Sequence, residues 1–145
     1  MRLQKRSRAQ TGVTLIEMLV VVTIIALFAA VVGPKLLGKA DEAKKVAARQ
    51  QINQISQTLG MYKLDTGTFP TTEQGLRALR EKPGNINQWN GPYLQMELPT
   101  DPWGNPYAYK FPGEHGDEPD VLSYGGDGQP GGTGLNEDIV SWKAK

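Results

Sequence analysis

Hydrophobic residues are concentrated in one long run near the start of the chain. No charged residue lies between Glu17 and Lys35, and Leu15 and Ile16 extend the apolar run in front of Glu17. A helix needs about 20 apolar residues to cross the hydrocarbon core of a bilayer, because each residue rises about 1.5 Å. The pattern therefore predicts a transmembrane helix segment over residues 13–34.

A second pattern follows this run. From Ala48 to Tyr62, apolar residues recur at alternating steps of four and three, and charged or amide side chains occupy most of the intervening positions. This spacing puts the apolar side chains on one face of a helix. We therefore expect an amphipathic helix over residues 35–64 that packs on the rest of the chain. Asp65-Thr66-Gly67 is typical of a helix end, because Gly adopts left-handed backbone geometry easily.

Gly33 and Pro34 lie between the two helical patterns. Proline removes one helix hydrogen bond and clashes with the preceding turn, and glycine is a weak helix former. The pair therefore predicts a helix break, either a kink or a locally extended stretch, near residues 31–36.

Residues 65–145 are rich in turn-forming residues and predict short elements. Thr71 and Gln74 have the spacing of a capping box, which predicts a short helix ending near Glu81. Three strands are predicted, at residues 93–96, 107–111 and 121–124. A helix followed by antiparallel strands is an α+β plan. The fold expected from these patterns is a long N-terminal helix packed on a small antiparallel β-sheet.

Basic residues cluster ahead of the apolar run. Residues 1–12 contain four Lys or Arg residues and no acid. A basic head before an apolar segment keeps the N-terminus in the cytoplasm, so we expect a single-pass membrane protein with its C-terminal domain on the other side of the membrane. The cluster lacks interleaved aromatic residues, which argues against nucleic-acid binding. A secretory signal peptide cleaved near Ala30 is an alternative, although the apolar run is long for one and contains Glu17.

Glu17 is an energetic anomaly in a membrane segment. A charged side chain in the hydrocarbon core costs about 2.5–3.5 kcal/mol on insertion scales, so such a residue indicates a function and a partner. The alternative is that the side chain of Glu17 reaches back to the cytoplasmic interface.

The segment that contains Glu17, residues 12–19, resembles the processing motif of type IV pilins and pseudopilins. The resemblance implies that residues 1–12 are a basic leader, which a prepilin peptidase removes between Gly12 and Val13. The same enzyme would then methylate the new amine of Val13, although most members carry Phe at this position. That cationic amine would pair with Glu17, either of a neighbouring subunit or of its own chain, since residues i and i+4 share a helix face.

Four downstream segments, residues 61–65, 69–76, 98–107 and 123–128, resemble the major pseudopilins of the type II secretion system, and the similarity covers nearly the full chain. The resemblance implies a protein of the bacterial inner membrane with its C-terminal domain in the periplasm. The resemblance implies a structural subunit of a periplasmic filament that helps drive folded exoproteins through the outer membrane. It implies as partners further copies of the chain in a helical homopolymer, minor pseudopilins, the inner-membrane platform, the prepilin peptidase/methyltransferase and the lipid bilayer. Two alternatives are a type IV pilus pilin and a monomeric, membrane-tethered periplasmic Ca²⁺-binding module.

The segment 124–139 is a candidate calcium loop, because it combines many Gly residues with three acids and little apolar content. Calcium prefers carboxylate and carbonyl oxygens, which flexible Gly-rich backbone can supply. The spacing is not that of an EF-hand, and composition alone leaves a solvated turn as the alternative. The family resemblance implies a Ca²⁺ site. Its ligands would be the side chains of Asp127, Asp138 and Glu137 and the backbone oxygens of Tyr124 and Gln129.

The sequence contains no recognisable catalytic set. It has no Cys and a single His, His115, which its Gly-rich surroundings place in a solvated loop. Trp103 and Trp142 are expected to pack rather than to bind a ligand. We therefore predict that the protein is not an enzyme. Without Cys, a bound metal or assembly with other subunits, rather than a disulfide, would stabilise a small domain of this composition.

Overall fold

One helix, α1, begins at Leu15 and ends at Thr66. The structure is a computed structural model that describes residues 12–84 and 86–143, with the backbone alone at residues 34–37. The predicted leader therefore lies almost entirely outside the described residues. The chain divides into two units, Met1–Lys39 and Ala40–Lys145, and α1 contributes to both.

The first unit consists of the apolar part of α1. It is long and apolar enough to cross a membrane, with a mean hydropathy of 2.9 over its most apolar window, and none of that window is buried. Thr23 satisfies its hydroxyl within the helix by donating to the carbonyl of Leu19 at 2.7 Å. A helix that is apolar all round and unburied is typical of a membrane span.

The backbone is helical through Gly33 and Pro34. The locally extended stretch expected near residues 31–36 is therefore not what the structure has. Proline removes a single backbone donor, and the hydrogen bonds on either side of it can carry the helix through this position. A kink at this point stays a prediction.

In the second unit, the apolar stripe of α1 is confirmed. Its five members are almost completely buried: Ala48, Ile52, Ile55, Leu59 and Tyr62. Burying one side chain of Leu or Ile size contributes about 1.5–3 kcal/mol. The stripe therefore anchors the core, which it shares with buried residues of the C-terminal region: Phe69, Leu76, Ala78, Leu79, Tyr107, Val121 and Ile139.

Helix α1 ends as the sequence predicts. Gly67 has φ +83° and donates its N–H to the carbonyl of Lys63 at 2.8 Å. This is the hydrogen bond of a left-handed C-terminal cap.

The capping box is also confirmed, but the helix after it is shorter than predicted. Gln74 donates its N–H to Thr71 Oγ1 at 3.2 Å, and Thr71 donates its N–H to Gln74 Oε1 at 2.9 Å. Gly75 follows with φ +59°, which no α-helix tolerates, so the first turn stops there. The chain continues as a 3₁₀ helix over Gly75–Leu79 rather than as a helix to Glu81.

The sheet has three antiparallel strands in the order β1-β2-β3: β1 is Ala108–Lys110, β2 is Asp120–Ser123 and β3 is Ile139–Val140. Val121 lies opposite Tyr109, and Ser123 opposite Ile139. Two of the three predicted strands are present.

The strand predicted at residues 93–96 is wrong. The backbone N–H groups of Tyr93 and Leu94 both donate to the carbonyl of Leu79, at 2.8 and 3.3 Å, so the end of the 3₁₀ helix rather than a neighbouring strand satisfies them. The third strand is Ile139–Val140 instead. A strand of two residues is too short to show the alternation of apolar and polar residues from which strands are predicted.

Buried tyrosines predict loss of stability at alkaline pH. Burial raises the pKa of Tyr107 and Tyr109, and Tyr109 donates its hydroxyl to the carbonyl of Pro70 at 2.7 Å. A pKa raised on folding stabilises the fold below the unfolded value of about 10, and the stability is lost as pH rises beyond it. We expect tyrosinate absorbance and the loss of helical circular dichroism to rise together above about pH 10. Complete ionisation before any loss of helix would contradict this expectation.

Candidate assembly and metal-binding sites

The predicted cleavage site lies immediately ahead of α1. Gly12, Val13 and Thr14 are outside regular structure and exposed, and Val13 retains 59% of its accessible surface. Among the residues that the structure describes, a side chain added at Gly12 would meet no atom within 4 Å. The bond between Gly12 and Val13 is therefore sterically open to a peptidase.

Thr14 is a helix-capping residue that the sequence reasoning missed. Its Oγ1 accepts the N–H of Glu17 at 3.3 Å, so Thr14 caps the first turn of α1. The signal was present in the sequence, because Thr14 and Glu17 have capping-box spacing. Glu17 consequently lies in the first turn of the helix, where the helix dipole favours a negative charge. The side chain of Glu17 is exposed at this helix end.

The candidate calcium loop connects β2 to β3, and its two ends touch. Gly126 donates its N–H to the carbonyl of Leu135 at 2.9 Å. A side chain at Gly125, where φ is +66°, would lie 2.9 Å from the carbonyl oxygen of Glu137. A side chain at Gly132, where φ is +95°, would clash with the carbonyl oxygen of Asn136. Glycine at these points allows main-chain segments to approach each other closely.

The first acid of the loop, Asp127, is exposed at the loop surface. Its Oδ1 accepts the N–H of Gln129 at 3.1 Å, which closes a tight turn through Gly128 at φ +66°. This turn brings the main chain of Gln129 close to the carboxylate of Asp127. Tyr124, half-buried, directly follows the last residue of β2 and lies three residues before Asp127.

The second acid, Asp138, carries an unsatisfied oxygen. Its Oδ2 accepts the N–H of Gly131 at 2.8 Å. Its Oδ1 is buried and has no hydrogen-bond partner among the described residues. An unpaired buried carboxylate oxygen is costly, and a bound cation is one way to satisfy it. The donor set around Asp138 therefore fits a hard cation such as calcium.

The third acid, Glu137, is already paired. Its Oε2 accepts a hydrogen bond from Lys45 Nζ of α1 at 3.0 Å. This hydrogen bond and the charge of Lys45 hold the pKa of Glu137 below its usual range. In residues 12–84 and 86–143, no three His, Asp or Glu side chains come together as a metal cluster. A cation in this loop must therefore draw much of its coordination from main-chain carbonyls.

His115 is not simply a solvated loop residue. Its Nδ1 lies 2.9 Å from Oδ2 of the buried Asp120, and its ring stacks on Trp142 with centroids 3.8 Å apart. His115 and Trp142 are 27 residues apart in the sequence, so the composition around His115 could not predict this contact. Trp103 packs against the core, and its Cδ1 would lie 3.4 Å from a side chain added at Gly126. Both tryptophans have packing roles, as predicted.

Two family models match the chain. The model described as the type II secretion system (T2SS), protein G, matches residues 35–142. The model described as the prokaryotic N-terminal methylation motif matches residues 7–33. Together they cover the apolar segment and almost all of the C-terminal unit.

Similar proteins share nearly the full length. The type II secretion system core protein G of Pseudomonas aeruginosa is 45% identical over 93% of this chain and 96% of its own length. That of Vibrio cholerae is 46% identical over 95% of each chain. The crystal structure of the major pseudopilin from the type 2 secretion system of enterohaemorrhagic Escherichia coli is 38% identical. It covers 74% of this chain and 89% of its own, with a TM-score of 0.64.

Proposed function

This chain belongs to the protein G family of the type II secretion system, and we propose that, as the major structural subunit of a secretion pseudopilus, it assembles into a periplasmic filament that helps drive folded exoproteins through the outer membrane. The match over residues 35–142 supports this function over a type IV pilus pilin and over a monomeric calcium-binding module. The relatives are structural subunits, and the chain is proposed to be the substrate of an enzyme rather than an enzyme.

The observation that carries the proposal is the unburied apolar part of α1, with one acid in its first turn. In the membrane, lipid covers this surface. In a filament, the same surface would be covered by the helices of other copies. The amine of Val13 and the carboxylate of Glu17 would then offset each other's desolvation.

We propose the inner membrane as the site of insertion, with the N-terminus in the cytoplasm and residues 35–145 in the periplasm. The basic residues ahead of the apolar run support this orientation. The further partners proposed are the minor pseudopilins, the inner-membrane platform and the prepilin peptidase/methyltransferase.

The mature N-terminus tests this proposal. We expect mass spectrometry of the protein from its native membrane to find a chain that starts at N-methylated Val13, because the bond after Gly12 is exposed and lies outside the helix. A Gly12→Val variant should remain full-length. An intact Met1 terminus, or cleavage near Ala30, would contradict the assignment to a filament subunit.

We also propose that the loop between β2 and β3 binds Ca²⁺. Asp127 and Asp138 would supply side-chain oxygens, with Asp138 the firmer ligand because its buried Oδ1 lacks a hydrogen-bond partner among the described residues. Backbone oxygens of Tyr124 and Gln129 would add to the set. Glu137 would need to share its carboxylate with Lys45. A bound cation would supply attraction that holds the two ends of the loop together.

A further inference from the structure

A buried carboxylate organises the short loop between residues 101 and 105. Asp101 retains only 3% of its accessible surface. Its Oδ1 accepts the N–H groups of Trp103 and Asn105, at 3.0 and 2.8 Å, and its own N–H donates to the carbonyl of Asn105 at 2.8 Å. The backbone of Asn105 is therefore held from both sides, and the direction of its side chain follows.

The same carboxylate reaches the start of the candidate calcium loop. Oδ2 of Asp101 accepts the hydroxyl of Ser123, which is completely buried. The Oγ of Ser123 in turn accepts the N–H of Gly125 at 3.2 Å. Asn105 binds the other polar group of the same residue, because its Nδ2 donates to the carbonyl of Gly125 at 3.2 Å. Both polar groups of the Gly125 backbone are thus bound by one network.

Asn105 also lies close to the loop beyond Asp127. A side chain added at Gly128 would lie 3.4 Å from both Nδ2 and Oδ1 of Asn105. The amide of Asn105 therefore binds the main chain at Gly125 and lies beside Gly128, so it is close to the chain on both sides of Asp127.

From this geometry we propose that Asn105, oriented by Asp101, is a positioning residue that presets Asp127 and the neighbouring carbonyls for the cation. The inference rests on the proposed calcium site. A Gly-rich loop loses conformational entropy when it is ordered by a ligand. A contact that orders the loop beforehand strengthens binding, although Asn105 itself does not touch the metal.

The test is calorimetric titration of CaCl₂ into the full chain in detergent micelles. Asn105→Ala should raise the Kd for calcium by roughly tenfold, as loss of an outer-shell partner does in other metal sites. Asn87→Ala, which removes an exposed amide elsewhere in the domain, should leave the Kd unchanged. Should Asn105→Ala fail to fold, Asn105→Ser serves as the second variant, because its hydroxyl is too short to reach the carbonyl of Gly125.

Hydrogen exchange in EDTA separates positioning from general stability. Asn105→Ala should speed exchange of the amides at residues 125–129 while the buried part of α1 remains protected. An unchanged Kd for Asn105→Ala, with wild-type protein that binds calcium, would overturn the positioning role. Wild-type protein that takes up no calcium would instead overturn the calcium site itself.

Discussion

Glu17→Ala should be processed and inserted normally yet form no filaments. Removing the carboxylate leaves the cationic amine of Val13 unpaired among apolar helices. A charge in such surroundings costs about 2.5–3.5 kcal/mol, and every 1.4 kcal/mol is a factor of ten. We therefore expect the association constant of each added subunit to fall by about two orders of magnitude. Electron microscopy of sheared filaments, with immunoblotting of the membrane fraction, measures both outcomes.

Two variants control for other effects at this helix end. Glu42→Ala removes an exposed carboxylate from the same helix outside residues 13–34 and should leave filaments unchanged. Thr14→Ala removes the cap but keeps the acid; loss of a cap costs about 1 kcal/mol, so assembly should weaken without disappearing. Normal filaments from Glu17→Ala would refute the pairing with Val13.

Calcium should raise the melting temperature of the full chain in detergent micelles by about 10 °C. A ligand at 100 times its Kd adds about 2.7 kcal/mol to the free energy of unfolding. Each added kcal/mol raises the melting temperature of a domain of this size by about 4 °C or more. Asp127→Ala should abolish this rise in melting temperature, because it removes one of the two carboxylates that would face the cation. Circular dichroism melts with CaCl₂ and with EDTA provide the measurement.

The matched control is Asp117→Ala, which removes an exposed acid from the loop between β1 and β2. It should show the full calcium-dependent rise in melting temperature. If calcium acted only through surface charge, the two variants would instead lose the same part of that rise. Identical wild-type melts in CaCl₂ and EDTA would mean that the loop is a solvated turn.

Local patterns predicted much of the fold, because they report which side of an element is buried. The steps of four and three from Ala48 predicted the buried face of α1, and Thr71 with Gln74 predicted a capping box that is present. The same reasoning failed at residues 93–96. Their composition suits a strand, but the carbonyl of Leu79 takes the N–H groups of Tyr93 and Leu94.

The sequence by itself determined the membrane segment, the motif around Gly12 and Glu17 and the acids of the C-terminal loop, because each depends on residues close together in the chain. The tertiary structure alone decided how these acids are used. Glu137 meets Lys45, which is 92 residues away, and Asn105 reaches Gly125 from a separate loop. Such contacts form only when the folded core brings distant segments together, so no local pattern records them. For the same reason, only the folded chain shows that one oxygen of Asp138 has no hydrogen-bond partner within residues 12–84 and 86–143.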